Sequence, residues 1–235
     1  MKIAVLDDYQ DVFRSLKAYS RLAGHEVMVF HDPPGNLEGL VRQLSDADAV
    51  VLTMQRTAIP ASILKDLPRL KLISQTGRNT GHIDLDACTR QGIMVCAGHA
   101  GGPSATAELA WALILASQRN IVTEAEALKQ GRWQTTLGVG LAGKTLGVYA
   151  YGRIGSYVAQ IGKAFGMNVV CWGREKSMAR AREAGFASAA NREEFFESTD
   201  VLSLHLPLNP ETAGIVRASD LARMKPDSLL VNTSR

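Results

Sequence analysis

Short apolar runs alternate with stretches of helical periodicity along most of this chain. Residues 3–6, 26–30, 49–52, 70–74 and 93–96 read as strands, and most of the intervals between them carry apolar positions at helical spacing. This alternation predicts parallel strands covered by helices on both faces, because a strand buried on both sides is apolar throughout and its parallel neighbour is reached by a crossover. In the first interval Val12, Leu16 and Tyr19 share one stripe while Arg14, Lys17 and Arg21 face elsewhere, which predicts a helix packed on the core. A second series of strands follows at residues 146–149, 168–172, 201–204 and 229–231. The expected fold class is therefore α/β, with two doubly wound parallel-sheet domains over residues 1–100 and 101–235. The joint at residues 98–103 is glycine-rich and ends on Pro103, at a helix start.

The segment from Pro103 to about Asn120 is apolar on several faces and includes Trp111, which predicts a helix buried between layers or subunits. Residues 132–141, with Trp133, leave that helix before the second series of strands begins. An apolar helix face and a Trp-bearing arm predict a homodimer; the competing reading is an interdomain core within a monomer.

Residues 143–155 read Gly-Lys-Thr-Leu-Gly-Val-Tyr-Ala-Tyr-Gly-Arg-Ile-Gly, a strand that breaks into a glycine turn and opens a helix. Val158, Ile161 and Phe165 share one face of that helix, and the strand at residues 168–172 completes a βαβ unit of about thirty residues. The pattern predicts a dinucleotide site. Gly152 leaves room for a pyrophosphate, Gly155 allows close helix–strand packing, and the free N–H groups at the helix start attract phosphate. The competing reading is a simple packing turn. Ala150 stands where the first glycine of the fingerprint belongs, and its methyl is expected to fit with φ kept negative. At the end of the second strand, where a carboxylate would take the adenosine ribose, the chain has Gly173-Arg174. A guanidinium there can pair with a 2′-phosphate, so NADP(H) is expected to be preferred, with NAD(H) as second choice. In the alternative, Arg174 covers the adenine and Glu175 takes the ribose.

Composition narrows the field. The 235 residues are 46% hydrophobic and 21% charged, as in an ordinary globular protein. A net charge of +3 without any Lys/Arg run, and with only three Trp and six Phe for stacking, argues against nucleic acid as a partner. The longest apolar stretch, residues 105–116, is interrupted by Glu108 and falls short of the roughly 18 residues needed to span a bilayer; the first seven residues lack a signal-peptide core. No membrane partner and a cytoplasmic location are expected. Cys88, Cys96 and Cys171 form no Cys-x-x-Cys and have no histidine at ligand spacing, so reduced thiols and no metal site are expected.

Asp7-Asp8 after the first strand is compatible with the acidic pocket of a phosphoacceptor receiver, but the third strand ends on Leu52-Thr53-Met54 with no aspartate to phosphorylate. Both are read as polar loop residues near a cleft. Residues 75–84, Gln-Thr-Gly-Arg-Asn-Thr-Gly-His-Ile-Asp, follow the fourth strand at a carboxyl end where open sheets bind ligands. Two glycines there favour a nest of N–H groups suited to a carboxylate, to which Arg78 could add charge. A tight turn before a helix starting at Asp84 is the alternative.

These features, taken with Ala107-Glu108, residues 164–167, His205-Leu206-Pro207-Leu208 and Asn232-Thr233-Ser234-Arg235, resemble the D-isomer-specific 2-hydroxyacid dehydrogenases over the whole chain. That family includes glyoxylate/hydroxypyruvate reductases and phosphoglycerate dehydrogenase. The resemblance implies a flavodoxin-like substrate domain (1–100) and a Rossmann cofactor domain (101–235) that is incomplete at its C-terminal end, hinged over a cleft. It implies hydride transfer between a nicotinamide and a small 2-oxo or 2-hydroxy acid. Backbone N–H groups around Gly77, Arg78 and Asn79 would hold the substrate carboxylate, with Asn79 standing where a second glycine is usual. Arg235 matches the arginine that binds the carboxylate and polarises the carbonyl. The cofactor would be met by Tyr151, Gly152, Arg153, Ile154 and Gly155, then by Gly173 and Arg174. Further along it would meet His205, Leu206, Pro207 and Thr212, and finally Asn232, Thr233, Ser234 and Arg235 at the nicotinamide end. His205 does not match the family's catalytic histidine and is given a structural reading. The family's later Glu and His lie beyond Arg235, so the chain is expected to be a fragment of a longer enzyme; the competing class is a non-catalytic dinucleotide-binding protein or an inactive truncation.

Overall fold

A computed structural model describes residues 1–98 and 101–234 and divides the chain into two compact units, Met1–Ala100 and Gly101–Arg235. In the first unit β1 (Lys2–Leu6), β2 (Glu26–Val29), α1 (Leu37–Leu44), β3 (Ala49–Leu52), α2 (Ala61–Leu64), β4 (Leu72–Gln75), α3 (Leu85–Arg90) and β5 (Met94–Ala97) follow one another. The five strands are parallel in the order β2-β1-β3-β4-β5, the flavodoxin-like winding. Leu6, Leu40, Leu44, Leu52 and Ile73 are buried in its core. Local chemistry starts two of the helices: the Asn36 side chain accepts from the Gly39 N–H at 2.8 Å, and the Asp84 side chain accepts from the Ala87 N–H at 2.8 Å.

The expected core-facing helix after β1 does not form. Asp8 accepts from the N–H groups of Val12 (3.1 Å) and Phe13 (2.9 Å), and the chain then makes two short 3₁₀ turns, Phe13–Ser15 and Lys17–Leu22. Leu16 between them is extended, with ψ 135°. The tighter turn and this break disperse the α-helical stripe, and Val12 and Leu16 stand 44% and 50% exposed.

The second unit contains α4 (Ser104–Gln118), α5 (Ile121–Lys129), β6 (Thr145–Tyr149), α6 (Arg153–Ala164), β7 (Asn168–Trp172), α7 (Glu175–Glu183) and β8 (Ala187–Ser188). It continues with α8 (Arg192–Ser198), β9 (Val201–Leu204), α9 (Ala218–Leu221) and β10 (Leu229–Asn232). Its parallel sheet runs β8-β7-β6-β9-β10, the Rossmann winding 3-2-1-4-5. Alternate residues of β6 serve two cores. Leu146 and Val148 pack with Trp111, Ile114 and Val158 on one face, while Tyr149 packs with Phe195, Phe196 and Leu202 on the other.

Trp111 donates from Nε1 to the Val158 carbonyl at 3.3 Å, and its ring lies 4.9 Å from that of Phe165. Phe165 therefore shares the buried side of α6 with Val158 and Ile161, as the spacing predicts, although its outer edge remains exposed. On α4, Ala107, Ala110 and Ile114 are buried whereas Leu109 and Leu113 are exposed. Residues 131–140 are exposed throughout, Trp133 and Leu137 among them. This arm is nevertheless shaped: the Glu124 carboxylate accepts from the N–H and hydroxyl of both Thr135 and Thr136 at 2.6–3.1 Å, which holds its pKa down to about 2. Among the described residues no helix is long and apolar enough to cross a membrane.

Candidate functional site

The winding of the second sheet reverses between β6 and β9, so the loops after these two strands border the crevice where an open α/β sheet takes a ligand. In the turn after β6 the Gly152 N–H donates to the Ala150 carbonyl at 2.9 Å, and the Ala150 N–H ties the turn to β7 through the Trp172 carbonyl at 2.8 Å. Ala150 has φ +75°, not the negative value expected. The hydrogen bond to β7 and the γ-turn that closes on Ala150 hold it in a conformation natural to glycine, at a strain of about 1–2 kcal/mol. Tyr151 turns its ring inward, 5.6 Å from Phe186, and its carbonyl accepts from Arg180 at 3.1 Å. It presents backbone rather than phenol to the crevice.

Two glycines of the turn do different work. A Cβ on Gly155 would lie 2.4 Å from the Ala150 carbonyl oxygen, so this position is glycine because helix and turn touch. Gly152 has φ −100°, and a methyl added there would meet nothing within 4 Å, so neither backbone nor packing requires glycine at this position. The open space faces the start of α6, which has no side-chain cap and no acidic residue in its first turn. The N–H groups of Arg153, Ile154 and Gly155 have no partner among the described residues. Amides without a partner among the described residues, the positive end of a helix and open space beside Gly152 suit a phosphate group, such as that of a dinucleotide.

The loop after β9 carries a pocket of about 250 Å³. Leu206, Pro207, Thr212, Asn232 and Ser234, which the family resemblance assigns to the cofactor, line it together with Leu204, Leu208, Gly214, Ile215 and Val216, which were not expected. The wall is built by polar clamps. Asn209 Oδ1 accepts from the N–H groups of Glu211 and Thr212, both at 3.0 Å, and the buried Thr212 hydroxyl donates to the Pro207 carbonyl. Arg192 donates to both oxygens of Asp220, at 2.8 and 2.6 Å, to the Tyr149 hydroxyl at 3.0 Å, and to the carbonyl of Ile215 in the pocket wall. Ser234 donates its hydroxyl to the Leu204 carbonyl at 2.9 Å, and the Thr233 hydroxyl is buried without a partner among the described residues.

His205 follows β9 with Nε2 3.0 Å from the Ser203 hydroxyl and a buried, unpartnered Nδ1. Burial pushes its pKa down to about 4, so the imidazole is neutral near pH 7 and suits a structural role. The unfolded chain takes up this proton near pH 6.5 and the folded chain only near 4, so stability is full above pH 6.5 and falls as pH drops towards 4. Chemical denaturation across that range is expected to show the loss, and His205→Gln to remove most of it; a parent whose stability stays flat would place the imidazole in solvent.

Gly173 and Arg174 lie at the end of β7, with Arg174 as the N-terminal flank of α7. The exposed guanidinium pairs with Glu211 in the loop after β9, Nη2 to Oε2 at 2.7 Å. Glu175 is instead taken by Arg182. The structure thus gathers the pocket-lining set, places residues 151–155 on the neighbouring turn and sets Arg174 at the start of α7, just after β7. Sequence reasoning missed Glu211, Arg192 and Asp220, which are separated by dozens of residues from their partners and carry no local signal.

In the first unit the loop after β4 is anchored at both ends. Gln75 donates to the carbonyls of Met54 (2.7 Å) and Thr76 (2.8 Å), and its Oε1 faces His82 Nε2 at 3.1 Å; burial lowers the pKa of that histidine. Gly77 takes φ +99°, and Asn79 folds back so that its Oδ1 accepts from the Gly81 N–H at 2.9 Å. The amide groups of Gly77, Arg78 and Asn79 have no partner among the described residues, and Arg78 is exposed. Asp7 is buried with φ +60° and accepts from Thr57 at 2.8 Å, which ties β1 to the segment after β3. Asp8, Asp11 and His31 converge within 4.8 Å, but both carboxylate oxygens of Asp8 already accept backbone N–H groups. Arg235 lies outside the described residues.

The family description "D-isomer specific 2-hydroxyacid dehydrogenase, NAD binding domain" matches residues 111–235. Glyoxylate reductase of Aeropyrum pernix is 37% identical over 236 aligned positions, covering 96% of this chain and 70% of that enzyme. D-3-phosphoglycerate dehydrogenase of Mycobacterium tuberculosis is 35% identical over 198 positions, covering 83% of this chain and 37% of the longer enzyme. A solved phosphoglycerate oxidoreductase from Vibrio cholerae o395 superposes with a TM-score of 0.94 at 49% identity, covering all of this chain and 76% of that one. The strand windings, the strand–turn–helix unit at β6 and these matches agree, and the chain belongs to the D-isomer-specific 2-hydroxyacid dehydrogenases, oxidoreductases that act on CH–OH groups with a nicotinamide dinucleotide.

Proposed function

We propose that this chain binds NADP(H) in preference to NAD(H) and serves the reduction of a small 2-oxo acid such as glyoxylate or hydroxypyruvate. The observation that carries the dinucleotide half is the uncapped start of α6 beside the open space at Gly152. Residues 101–235 form the cofactor domain. Their pyrophosphate contacts are Tyr151, Gly152, Arg153, Ile154 and Gly155; Gly173 and Arg174 attend the adenosine ribose; and the pocket wall of Leu206, Pro207 and Thr212 lies beyond. Asn232, Thr233 and Ser234 stand at the nicotinamide end, with His205 just after β9 counted among the cofactor-side residues. Preference for NADP(H) is supported by the cation at Arg174, although its guanidinium pairs with Glu211, and by Glu175 being engaged with Arg182.

Residues 1–100 form the substrate domain. The amides of Gly77, Arg78 and Asn79, unpaired among the described residues, suit a carboxylate, which they would hold by charge-assisted hydrogen bonds. When bound, the dinucleotide supplies the hydride. Arg235 is assigned, by the family resemblance, the binding of a substrate carboxylate and the polarisation of the carbonyl, a task for a permanently charged planar donor. The exposed Leu109 and Leu113 of α4 and the Glu124-clipped arm with Trp133 support a homodimer, and the three free cysteines support a reducing, cytoplasmic setting.

The test is turnover by the protein as its source makes it, with any residues that follow Arg235 included. NADPH oxidation, followed by nicotinamide absorbance, is expected with glyoxylate or hydroxypyruvate, and Arg235→Gln is expected to lower kcat/KM about 100-fold or more. Binding of NADPH without oxidation on either acid would overturn the reductase reading in favour of a non-catalytic dinucleotide-binding protein.

A further inference from the structure

We propose that Glu211 is a cofactor-selecting residue, whose carboxylate competes with the 2′-phosphate of NADP(H) for the guanidinium of Arg174. The inference rests on the reading of Arg174 as the group that attends the adenosine ribose. Arg174 leaves the end of β7, and Glu211 stands in the loop after β9, 37 residues further along, yet the two side chains meet at 2.7 Å. Glu211 is presented from a clamped turn, because Asn209 Oδ1 fixes its N–H and that of the buried Thr212 beside it. The carboxylate next to Arg174 in sequence, Glu175, is held by Arg182, so Glu211 is the carboxylate that occupies Arg174.

The two dinucleotides meet this pair differently. A 2′-phosphate needs the guanidinium and must displace Glu211, after which two like charges lie near one cation. A 2′-hydroxyl makes no such demand, and it can donate to the Glu211 carboxylate with the ion pair intact. Glu211 therefore opposes NADPH and tolerates NADH. Both partners are about three-quarters exposed, at 74% and 73%, so the effect is that of a solvent-screened pair and of moderate size.

Titration of the full chain with NADPH and with NADH at one fixed ionic strength tests this in four proteins: parent, Glu211→Gln, Arg174→Ala and the double variant. Glu211→Gln is expected to tighten NADPH about two- to five-fold while NADH stays equal or weakens, and the gain is expected to vanish in the Arg174→Ala background. NADPH affinity that is unchanged or weaker in Glu211→Gln overturns the proposal, as does a gain that persists without Arg174, since bulk charge would then explain it. Arg174→Ala weakening NADPH and NADH equally overturns the reading of Arg174 itself, and the role of Glu211 with it. Selective loss of NADPH in Arg174→Ala with no gain in Glu211→Gln leaves that reading standing and removes only the proposal.

Discussion

Gly155→Val is expected to abolish dinucleotide binding at concentrations that saturate the parent, and to destabilise the second unit by about 3 kcal/mol. Even the first added carbon would sit 2.4 Å from the Ala150 carbonyl oxygen and 3.1 Å from Val148 Cγ1. The nearer neighbour is backbone, so the start of α6 must move away from the β6 turn, and overpacking of this kind costs about 1–3 kcal/mol before the second branch of valine is added. The displaced helix would carry its free N–H groups away from the phosphates. Gly152→Ala separates the two effects. Its methyl meets nothing in the protein, so the thermal midpoint is expected to match the parent while dinucleotide affinity falls, because the ligand is what needs that space. NADPH and NADH titrations alongside thermal unfolding check both variants. Full binding in Gly155→Val would show that the phosphates do not approach α6.

Arg192→Leu is expected to destabilise the second unit by about 3 kcal/mol, a fall in midpoint of roughly 10 °C for a unit of this size. The leucine keeps some packing against Phe196 and Tyr149, whose rings the guanidinium now covers at 5.4 and 5.9 Å, but it leaves Asp220 without its main partner. That carboxylate is 9% exposed and, among the described residues, would retain only the Arg217 N–H at 2.7 Å. The same pair predicts an acid signature. The Arg192 guanidinium holds Asp220 down to about 2, below the usual carboxylate range near 4, so its stabilisation is present above pH 4 and is lost as pH falls through about 2. In Arg192→Leu that acid-sensitive component is expected to shrink. Because Arg192 also grips the Ile215 carbonyl, the variant is expected to loosen the pocket wall and weaken the dinucleotide at temperatures where the fold survives. Denaturation curves at pH 7 and pH 3 read the first two effects, and a destabilisation equal at both pH values would mean that the ion pair is not the source.

The contrast between Gly155 and Arg192 also marks how far the sequence is informative. The glycine could be read in advance because a strand, a turn and a helix start within a few residues of one another, and their contact is local. The strands of both sheets, the helix begun by Asp84 and the polar loop at Gly77–Asn79 are legible for the same reason: they rest on apolar periodicity, capping side chains and turn residues that act over three or four positions. The family resemblance extended this reach to Leu206, Pro207, Thr212, Asn232 and Ser234, which line one pocket.

By itself, then, the sequence determined two wound α/β units, a strand–turn–helix unit at β6 and a glycine-bearing polar loop after β4, because each follows from local backbone preference and burial. Only the tertiary structure decided the rest. It set φ of Ala150 at +75°, since the turn must reach β7 to hydrogen-bond, and it dissolved the Val12–Leu16–Tyr19 stripe, since Asp8 captures the next two amides before an α-helix can start. It joined Arg192 to Asp220 across 28 residues and Arg174 to Glu211 across 37. Such pairs are set by which loops the strand order brings to the same end of the sheet, and no periodicity along the chain encodes that distance in space.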